Sequence, residues 1–302
     1  MTDSHQMTDR IPGRHTDPST GLPTGPGTGR PADQPAHQPS SRHLPEAFYV
    51  PSGEDSYIAT LATQGPWDPG LQHGGPPSAL LATAVEEHTG RPGLRAARIT
   101  VDFLGPIPMG EVTVRVQVLR PGRRVQLAQA EMVHTGRTVA VARVWQHLLA
   151  PDGQVPATGS SPAPALPPAG AHGSALLSSF GYGRALEWRA TGGLTDAPGP
   201  AAVWTRMRIP LVSGRPTSGL ARMLVTADSA NGASLELPLD DWLSMPTSLN
   251  VSVLRVPKGE WVHMDARTHL SGDGIGLAQA ELADADGLLG TVSQPMLVER
   301  RR

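Results

Sequence analysis

The 302-residue sequence predicts an α+β protein made of two similar modules in tandem, each a long helix lying across an antiparallel sheet. Two observations carry this prediction. The order strand, helix, four strands occurs twice along the chain. In addition, the segment LAQAEM at residues 127–132 returns as LAQAEL at 277–282, and PMGEV at 108–112 returns as PKGEW at 257–261. Because both near-matches keep their order and almost the same offset, they indicate an internal duplication.

Two segments stand apart from the modules by composition. Residues 1–45 contain Pro, Gly, Thr, Asp, His and Gln with almost no large apolar side chain. Such a segment cannot bury enough surface to offset its chain entropy, so we predict a disordered tail. Residues 151–175 are rich in Pro, Ala and Gly, which predicts a semi-extended linker. These boundaries leave an N-terminal module at residues 46–150 and a C-terminal module at residues 176–302.

The N-terminal module begins with a short apolar stretch at residues 57–61 and a helix that starts at Pro76-Pro77, because proline is favoured in the first helical turn. Alternation of apolar and polar residues then predicts four strands, at 99–104, 112–119, 125–133 and 138–148. A single helix followed by an antiparallel meander hides its apolar stripe by lying on the concave face of its own sheet. This is the hot-dog arrangement.

The C-terminal module repeats that order. A strand is predicted at residues 202–209 and a helix at 216–228, and four further strands are predicted at 247–254, 261–268, 275–283 and 289–298. One hot-dog unit alone leaves exposed sheet edges, which usually pair with a second copy. We therefore expect the two modules to form a double hot-dog pseudo-dimer within one chain, and the sequence leaves open whether the chain also forms a homo-oligomer.

Composition excludes several classes of function. The 25 Lys and Arg residues against 27 Asp and Glu give a formal charge of -2, so the chain has no excess of positive charge with which to bind the phosphates of a nucleic acid. Without cysteine there is no disulfide, thiolate nucleophile or cysteine-ligated metal. No apolar run is long enough for a membrane span, and residues 1–10 lack the core of a signal peptide, so we expect a cytoplasmic protein that does not bind membranes. No metal site, phosphate-binding loop or dinucleotide fingerprint is present, and no cofactor is expected.

Several short motifs, in order, resemble the acyl-CoA thioesterase II family. In the first module they are GG at residues 74–75, ITVDFLGP at 99–106 and VLRPGR at 118–123; in the second they are AD at 227–228, PT at 246–247, VLR at 253–255 and TVSQ at 291–294. The resemblance covers residues 47–149 and 202–298. It implies a hydrolase that cleaves acyl-CoA or another acyl thioester with water, without an acyl-enzyme intermediate.

The resemblance also implies that an Asp, a Thr and a Gln surround the reacting water, and the matching residues are Asp228, Thr247 and Gln294. This sequence departs from the family after Thr247, where LNV at residues 249–251 replaces an Asp-His-Ser stretch. The departure leaves acyl length and substrate class open. At the repeat offset the counterpart of Gln294 is Val144, and the helix alignment sets Glu86 against Asp228, so we expect one active site per chain.

Helical spacing independently places Asp228 on the stripe formed by residues 220, 223, 224 and 227, which faces the core. Burial would raise the pKa of this carboxyl and suit it to act as a general base. An Asp at a helix end can instead accept hydrogen bonds from the following turn.

Gly74 and Gly75 precede the first helix, where unpaired backbone N–H groups and the helix dipole can stabilise a developing oxyanion. The alternative is that these glycines only permit a tight turn. We predict that His73 contacts the substrate, with a structural or solvent-exposed role as the alternative.

Two other functions stay open at this stage. One is a non-catalytic protein that binds acyl thioesters or assists a pathway. The other is a hot-dog enoyl hydratase; such enzymes resemble one another in an Asp-x-Asn-x-x-His loop, which this sequence lacks.

Overall fold

The computed structural model describes residues 43–152, 154–170, 174–193 and 197–301, so all but the last three residues of the predicted tail lie outside the described residues. The helices of the described chain are α1 (Gly75–Thr89), α2 (Ala175–Ser179), α3 (Gly181–Ala185), α4 (Gly219–Ala227) and α5 (Ala230–Ala233), with a 3₁₀ turn at Leu61–Thr63. The strands are β1 (Tyr49–Pro51), β2 (Ser56–Ala59), β3 (Leu94–Phe103), β4 (Gly110–Arg120), β5 (Val125–His134), β6 (Arg137–Leu148), β7 (Leu186–Gly192), β8 (Ala201–Met207), β9 (Trp242–Pro246), β10 (Ser248–Val253), β11 (Trp261–Leu270), β12 (Ile275–Asp284) and β13 (Gly287–Arg300).

These strands form one continuous sheet in the order β1-β2-β4-β5-β6-β3-β10-β13-β12-β11-β8-β7, with β9 beside β13. The two modules join where β3 runs antiparallel to β10, with Thr100 opposite Asn250. The double hot-dog prediction is confirmed, because each module supplies the sheet partner that the other lacks.

The sheet registers also show the duplication. In the first module Ala128 on β5 lies opposite Val144 on β6, and in the second Ala278 on β12 lies opposite Gln294 on β13. The two repeated segments therefore occupy the same place in their modules.

Helices α1 and α4 pack against each other inside this sheet. Their directions are opposed, because Ser218 at the start of α4 donates a hydrogen bond to Glu86 near the end of α1, at 3.4 Å. The Ser218 hydroxyl also caps α4 by accepting from the backbone N–H of Ala221, which explains why this helix begins at Gly219 and not at the predicted residue 216. The buried apolar faces of both helices form the core with the inner face of the sheet, and they include Ala79, Leu80, Leu81, Val85, Leu220, Met223, Leu224 and Ala227.

Up to residue 170 the described part of the predicted linker contains no helix or strand, and its last residue, Ala175, begins α2; the linker is held against the second module. The Ser160 hydroxyl accepts from the backbone N–H of Leu288 at 2.8 Å. The carbonyls of Pro164 and Pro167 accept from Trp204 Nε1 and Arg189 Nη1. Proline leaves its carbonyl as the only main-chain hydrogen-bonding group, so side chains of the sheet reach out to the linker.

Short elements between the main ones were not expected from the sequence: β1, β7, β9, α2, α3 and α5. Each has three to seven residues, which is too short for periodicity to show. Among the described residues, no helix is both long and apolar enough to cross a membrane.

Candidate active site

An open cavity of about 330 Å³ lies where α1 begins and α4 ends. Both modules contribute to its wall, and large apolar side chains predominate among its lining residues: Trp67, Leu71, Phe103, Ile107, Leu243 and Met245. Its polar and charged side chains are Asp68, Gln72, His73, Asp228, Asn231, Thr247 and Arg301. A concave, mostly apolar pocket with a few convergent polar groups is the usual form of a small-molecule site.

Asp228 is the C-terminal cap of α4, and its side chain is only 6% exposed. One carboxyl oxygen, Oδ1, accepts from Gln294 Nε2 at 2.9 Å, and the other, Oδ2, lies 3.1 Å from His73 Nδ1. The backbone N–H groups of Gly74 and Gly75 face this carboxyl and favour its charged form, and the Gly75 N–H donates to His73 Nδ1 at 3.2 Å. Because the first N–H groups of a helix have no intrahelical partner, Asp228 in effect caps α1 from the other module. The core-facing position predicted from the helical stripe is confirmed.

The environment of Asp228 favours its protonated form. Burial raises the pKa of the carboxyl to about 8, although the hydrogen bonds from Gln294, Gly75 and Gly74 favour the charged form. Burial also lowers the pKa of His73 to about 3. At neutral pH the pair therefore carries one titratable proton, on Asp228, and His73 is uncharged.

Ring stacking and a backbone hydrogen bond hold His73 in place, and its side chain is mostly buried. Its ring stacks on that of Tyr182, with centroids 3.8 Å apart and planes within 7°. The Tyr182 hydroxyl is anchored by the carbonyl of Val225 at 2.6 Å and by the Ser229 hydroxyl at 2.7 Å. The backbone N–H of His73 donates to Thr63 at 2.7 Å. Tyr182 was not expected from the sequence, since it lies on the five-residue helix α3.

Gln294 is fully buried on β13, and both ends of its amide are engaged. Its Oε1 accepts from the backbone N–H of Asn231 at 3.1 Å, and its Nε2 donates to Asp228. This arrangement fixes the direction of the amide and gives the carboxyl a donor from the sheet.

Thr247 lies between β9 and β10 and lines the same cavity, but it is exposed. Its hydroxyl donates to the carbonyl of Pro295 at 3.3 Å, and none of the described hydrogen bonds joins it to Asp228. The structure therefore brings Asp228 and Gln294 into direct contact and places Thr247 on the wall nearby.

The residues that follow Thr247 pack in the core or hydrogen-bond within the sheet. Leu249 and Val251 are fully buried, while Asn250 points to the other face of β10 and donates to the carbonyl of Ser293. The stretch that departs from the family pattern thus contributes no side chain to the cavity lining.

Positions 74 and 75 have no room for a side chain, so both must be glycine. Gly74 has ordinary helical backbone angles, φ −69° and ψ −17°, so a tight turn does not explain it. A Cβ on Gly74 would lie 2.7 Å from Phe103 Cζ and 2.8 Å from Asp228 Oδ2, and one on Gly75 would lie 2.7 Å from the carbonyl of Val225. Both glycines let the start of α1 approach α4. The Gly75 N–H donates to His73 Nδ1, so the oxyanion role of the two glycines stays a prediction.

In the described part of the chain, no group of three or more His, Asp and Glu side chains is placed to hold a metal ion. The polar centre of the site is therefore a buried acid, an imidazole and an amide beside an apolar cavity.

The continuous sheet around two opposed helices, with this polar centre at their junction, defines a double hot-dog protein. Two family models match the chain: the acyl-CoA thioesterase N-terminal domain over residues 63–147 and the acyl-CoA thioesterase C-terminal domain over residues 158–298. The chain belongs to the acyl-CoA thioesterase family and is a thioester hydrolase.

Solved structures share this fold. A candidate thioesterase from Novosphingobium aromaticivorans is 22% identical, with a TM-score of 0.61, and the match covers 83% of this chain and 98% of that one. Acyl-CoA thioesterase II of Mycobacterium marinum is 14% identical, with a TM-score of 0.59 and coverage of 84% and 96%. A hot-dog protein from Alicyclobacillus acidocaldarius is 16% identical, with a TM-score of 0.62 and coverage of 85% and 98%. No curated protein sequence matches the chain.

Proposed function

We propose that this protein hydrolyses acyl-CoA at a single site per chain, with a water molecule held and polarised at Asp228. The observation that carries the proposal is the position of Asp228: a buried carboxyl, fixed by Gln294, on the wall of an apolar cavity of about 330 Å³. The apolar wall suits an acyl chain, and the Asp228 carboxyl in its ionised form provides a proton acceptor next to it.

The reaction requires water to attack the carbonyl carbon of the thioester. The water loses a proton to the site as its oxygen bonds to that carbon, and the C–S bond then breaks with its electron pair on sulfur. The products are a carboxylic acid and a free thiol. An acyl-enzyme on a hydroxyl is disfavoured because the cavity lining offers one hydroxyl, that of Thr247, and this hydroxyl is not hydrogen-bonded to a base in the described chain.

Thr247 has a secondary role in this proposal. Its hydroxyl proton is used on the carbonyl of Pro295, which leaves the oxygen free to accept a hydrogen bond from a water in the cavity. We expect replacement of Thr247 by Val to lower kcat less than replacement of Asp228, because Thr247 can orient the water but cannot take its proton.

The direct test is Asp228→Asn, which keeps the shape of the side chain but cannot accept a proton. Release of free thiol from a panel of acyl-CoA esters should fall at least a hundredfold, in line with the usual contribution of a general base of about 10²–10⁴. Asp265→Asn is the matched control, because that carboxyl is half-exposed on β11 and away from the cavity. Thiol release by Asp228→Asn at the wild-type rate would refute the role of Asp228. Hydration of enoyl-CoA without thiol release would instead indicate the hydratase reaction.

A further inference from the structure

Every hydrogen-bonding neighbour of the Asp228 carboxyl in the described chain is a donor, except one. Gln294 Nε2 donates to Oδ1, and the backbone N–H groups of Gly74 and Gly75, which face the carboxyl, can also only donate. His73 Nδ1 lies 3.1 Å from Oδ2 and is the one ring nitrogen near the carboxyl. A protonated carboxyl needs an acceptor for its own O–H, and His73 provides it.

We propose that His73 is the proton partner of Asp228: it accepts the carboxyl proton through Nδ1 while Asp228 takes a proton from the attacking water. This inference rests on the proposed function and deepens it, since it assigns to His73 a positioning role that acts through Asp228.

The ring is built into place for such a transfer. Stacking on Tyr182 and the backbone bond to Thr63 fix its plane, and the Gly75 N–H donates to Nδ1 at 3.2 Å, which marks Nδ1 as an acceptor in the resting state. The resting imidazole then carries its proton on Nε2. Burial lowers the pKa of His73, so the ring is neutral at rest and its imidazolium forms only as the oxyanion develops beside it.

The proton balance closes over the two chemical steps. In the first step, water gives one proton to the Asp228 carboxyl as the C–O bond forms, the proton already on Oδ2 passes to His73 Nδ1, and the carbonyl electron pair becomes an oxyanion. The pair now holds two protons, and the imidazolium charge offsets the oxyanion. In the second step, the C–S bond breaks, the oxyanion reforms the carbonyl and one proton of the pair goes to sulfur. The pair is left with its original proton.

Few other titratable groups face this pair. From α3 the phenol of Tyr182 stacks on His73, and its hydroxyl is engaged by Val225 and Ser229. On the cavity wall, Asp68 and Arg301 are the other charged side chains. Within the described chain, neither His73 nor Asp228 forms an ion pair with a third residue. A change in the pH profile on altering His73 would therefore report on the pair.

The test is the pH dependence of kcat/KM for acyl-CoA hydrolysis in His73→Phe. Phenylalanine preserves a flat ring for Tyr182 but has no nitrogen. In the wild type we expect a rate that changes less than threefold between pH 6 and 8, because the carboxyl proton can be passed on. In His73→Phe only the ionised carboxyl can act, so the rate should fall about tenfold for each pH unit below the pKa of Asp228.

A merely structural role for His73 predicts a different result. The profile of His73→Phe would then run parallel to that of the wild type, lower by the same factor at every pH, and this outcome would overturn the inference. Tyr182→Phe is the control, since it keeps the stack and removes only the hydroxyl bonds; its profile should be parallel to the wild type.

A second variant covers the case in which His73→Phe does not fold. His73→Ala opens a space the size of the ring, and added imidazole should restore at least tenfold of the lost rate at pH 7; no gain with imidazole in a folded protein would contradict the proposal. These experiments distinguish failure of the proposed function from failure of the role proposed for His73. An active Asp228→Asn variant would refute the proposed function itself, whereas an inactive Asp228→Asn variant with a parallel His73→Phe profile would refute only the role of His73.

Discussion

Replacing Asp228 by Asn should change how the stability of the protein depends on pH. The folded state holds a proton on this carboxyl that the unfolded chain releases, because burial raises its pKa from an ordinary 3.8 to about 8. An acid that is more weakly acidic in the folded state makes folding less favourable as pH rises through the interval between its two pKa values. Asparagine cannot titrate, so the variant lacks this dependence.

His73 determines where the effect is visible. Burial lowers its pKa from 6.5 to about 3, so between these values the unfolded chain holds the extra proton and stability increases with pH. The two residues therefore oppose each other between about pH 4 and 6.5. From pH 6.5 to 8 only Asp228 contributes, and at about 1.4 kcal/mol per pH unit the free energy of unfolding should fall by about 2 kcal/mol.

Urea denaturation at pH 6.5 and pH 8.0 measures this difference. The wild type should lose about 2 kcal/mol more than Asp228→Asn over this interval, since all other groups titrate alike in both proteins. Asp265→Asn, at an exposed position, should behave like the wild type. Equal pH dependence in the wild type and Asp228→Asn would show that the carboxyl is already ionised at pH 6.5, and the argument from burial would be wrong.

Two further variants test the packing and the shape of the site. Gly74→Ala places a Cβ 2.7 Å from Phe103 Cζ, so we expect a loss of about 1–3 kcal/mol in urea denaturation, whereas Gly159→Ala, with nothing within 4 Å, should be neutral; equal stabilities would contradict the contact. Met245→Trp should narrow the cavity and lower kcat/KM for long acyl-CoA esters more than for short ones. Leu270→Trp on β11, outside the lining, should change neither value. If the ratio of kcat/KM for long and short esters is the same in both variants, acyl chains do not enter this cavity.

Much of the fold could be predicted from the sequence because its signals are local. The alternation of apolar residues along β4 and the helical stripe of α4 are visible within ten residues, and both elements lie where these patterns indicated. The stripe also placed Asp228 on the buried side. The near-repeat of residues 127–132 at 277–282 revealed the duplication, since both copies keep the same partner positions on the neighbouring strand.

The rest of the site could not be predicted because it depends on contacts between the modules. The sequence separates His73 from Tyr182 by more than one hundred residues, and no periodic pattern marks a ring that stacks on another. Thr247 illustrates the same limit. Its backbone N–H donates to Pro295 and its carbonyl accepts from Phe103 of the first module, so its place is set by the joint between the modules.

Comparing the two modules explains why the candidate active site lies at only one end of the α1–α4 pair. At the opposite end of the helix pair, Glu86 takes the position of Asp228, and burial raises its pKa as well. However, Val144 stands where Gln294 stands in the second module, so within the described residues no amide from the sheet bonds to the Glu86 carboxyl, and Glu86 accepts from the Ser218 hydroxyl at 3.4 Å. The helix that begins there starts with Ser218-Gly219, and Ser218 caps its own helix. A helix with its own cap does not need an acid from the other module, and this difference leaves Asp228 as the carboxyl that is both buried and held beside the apolar cavity.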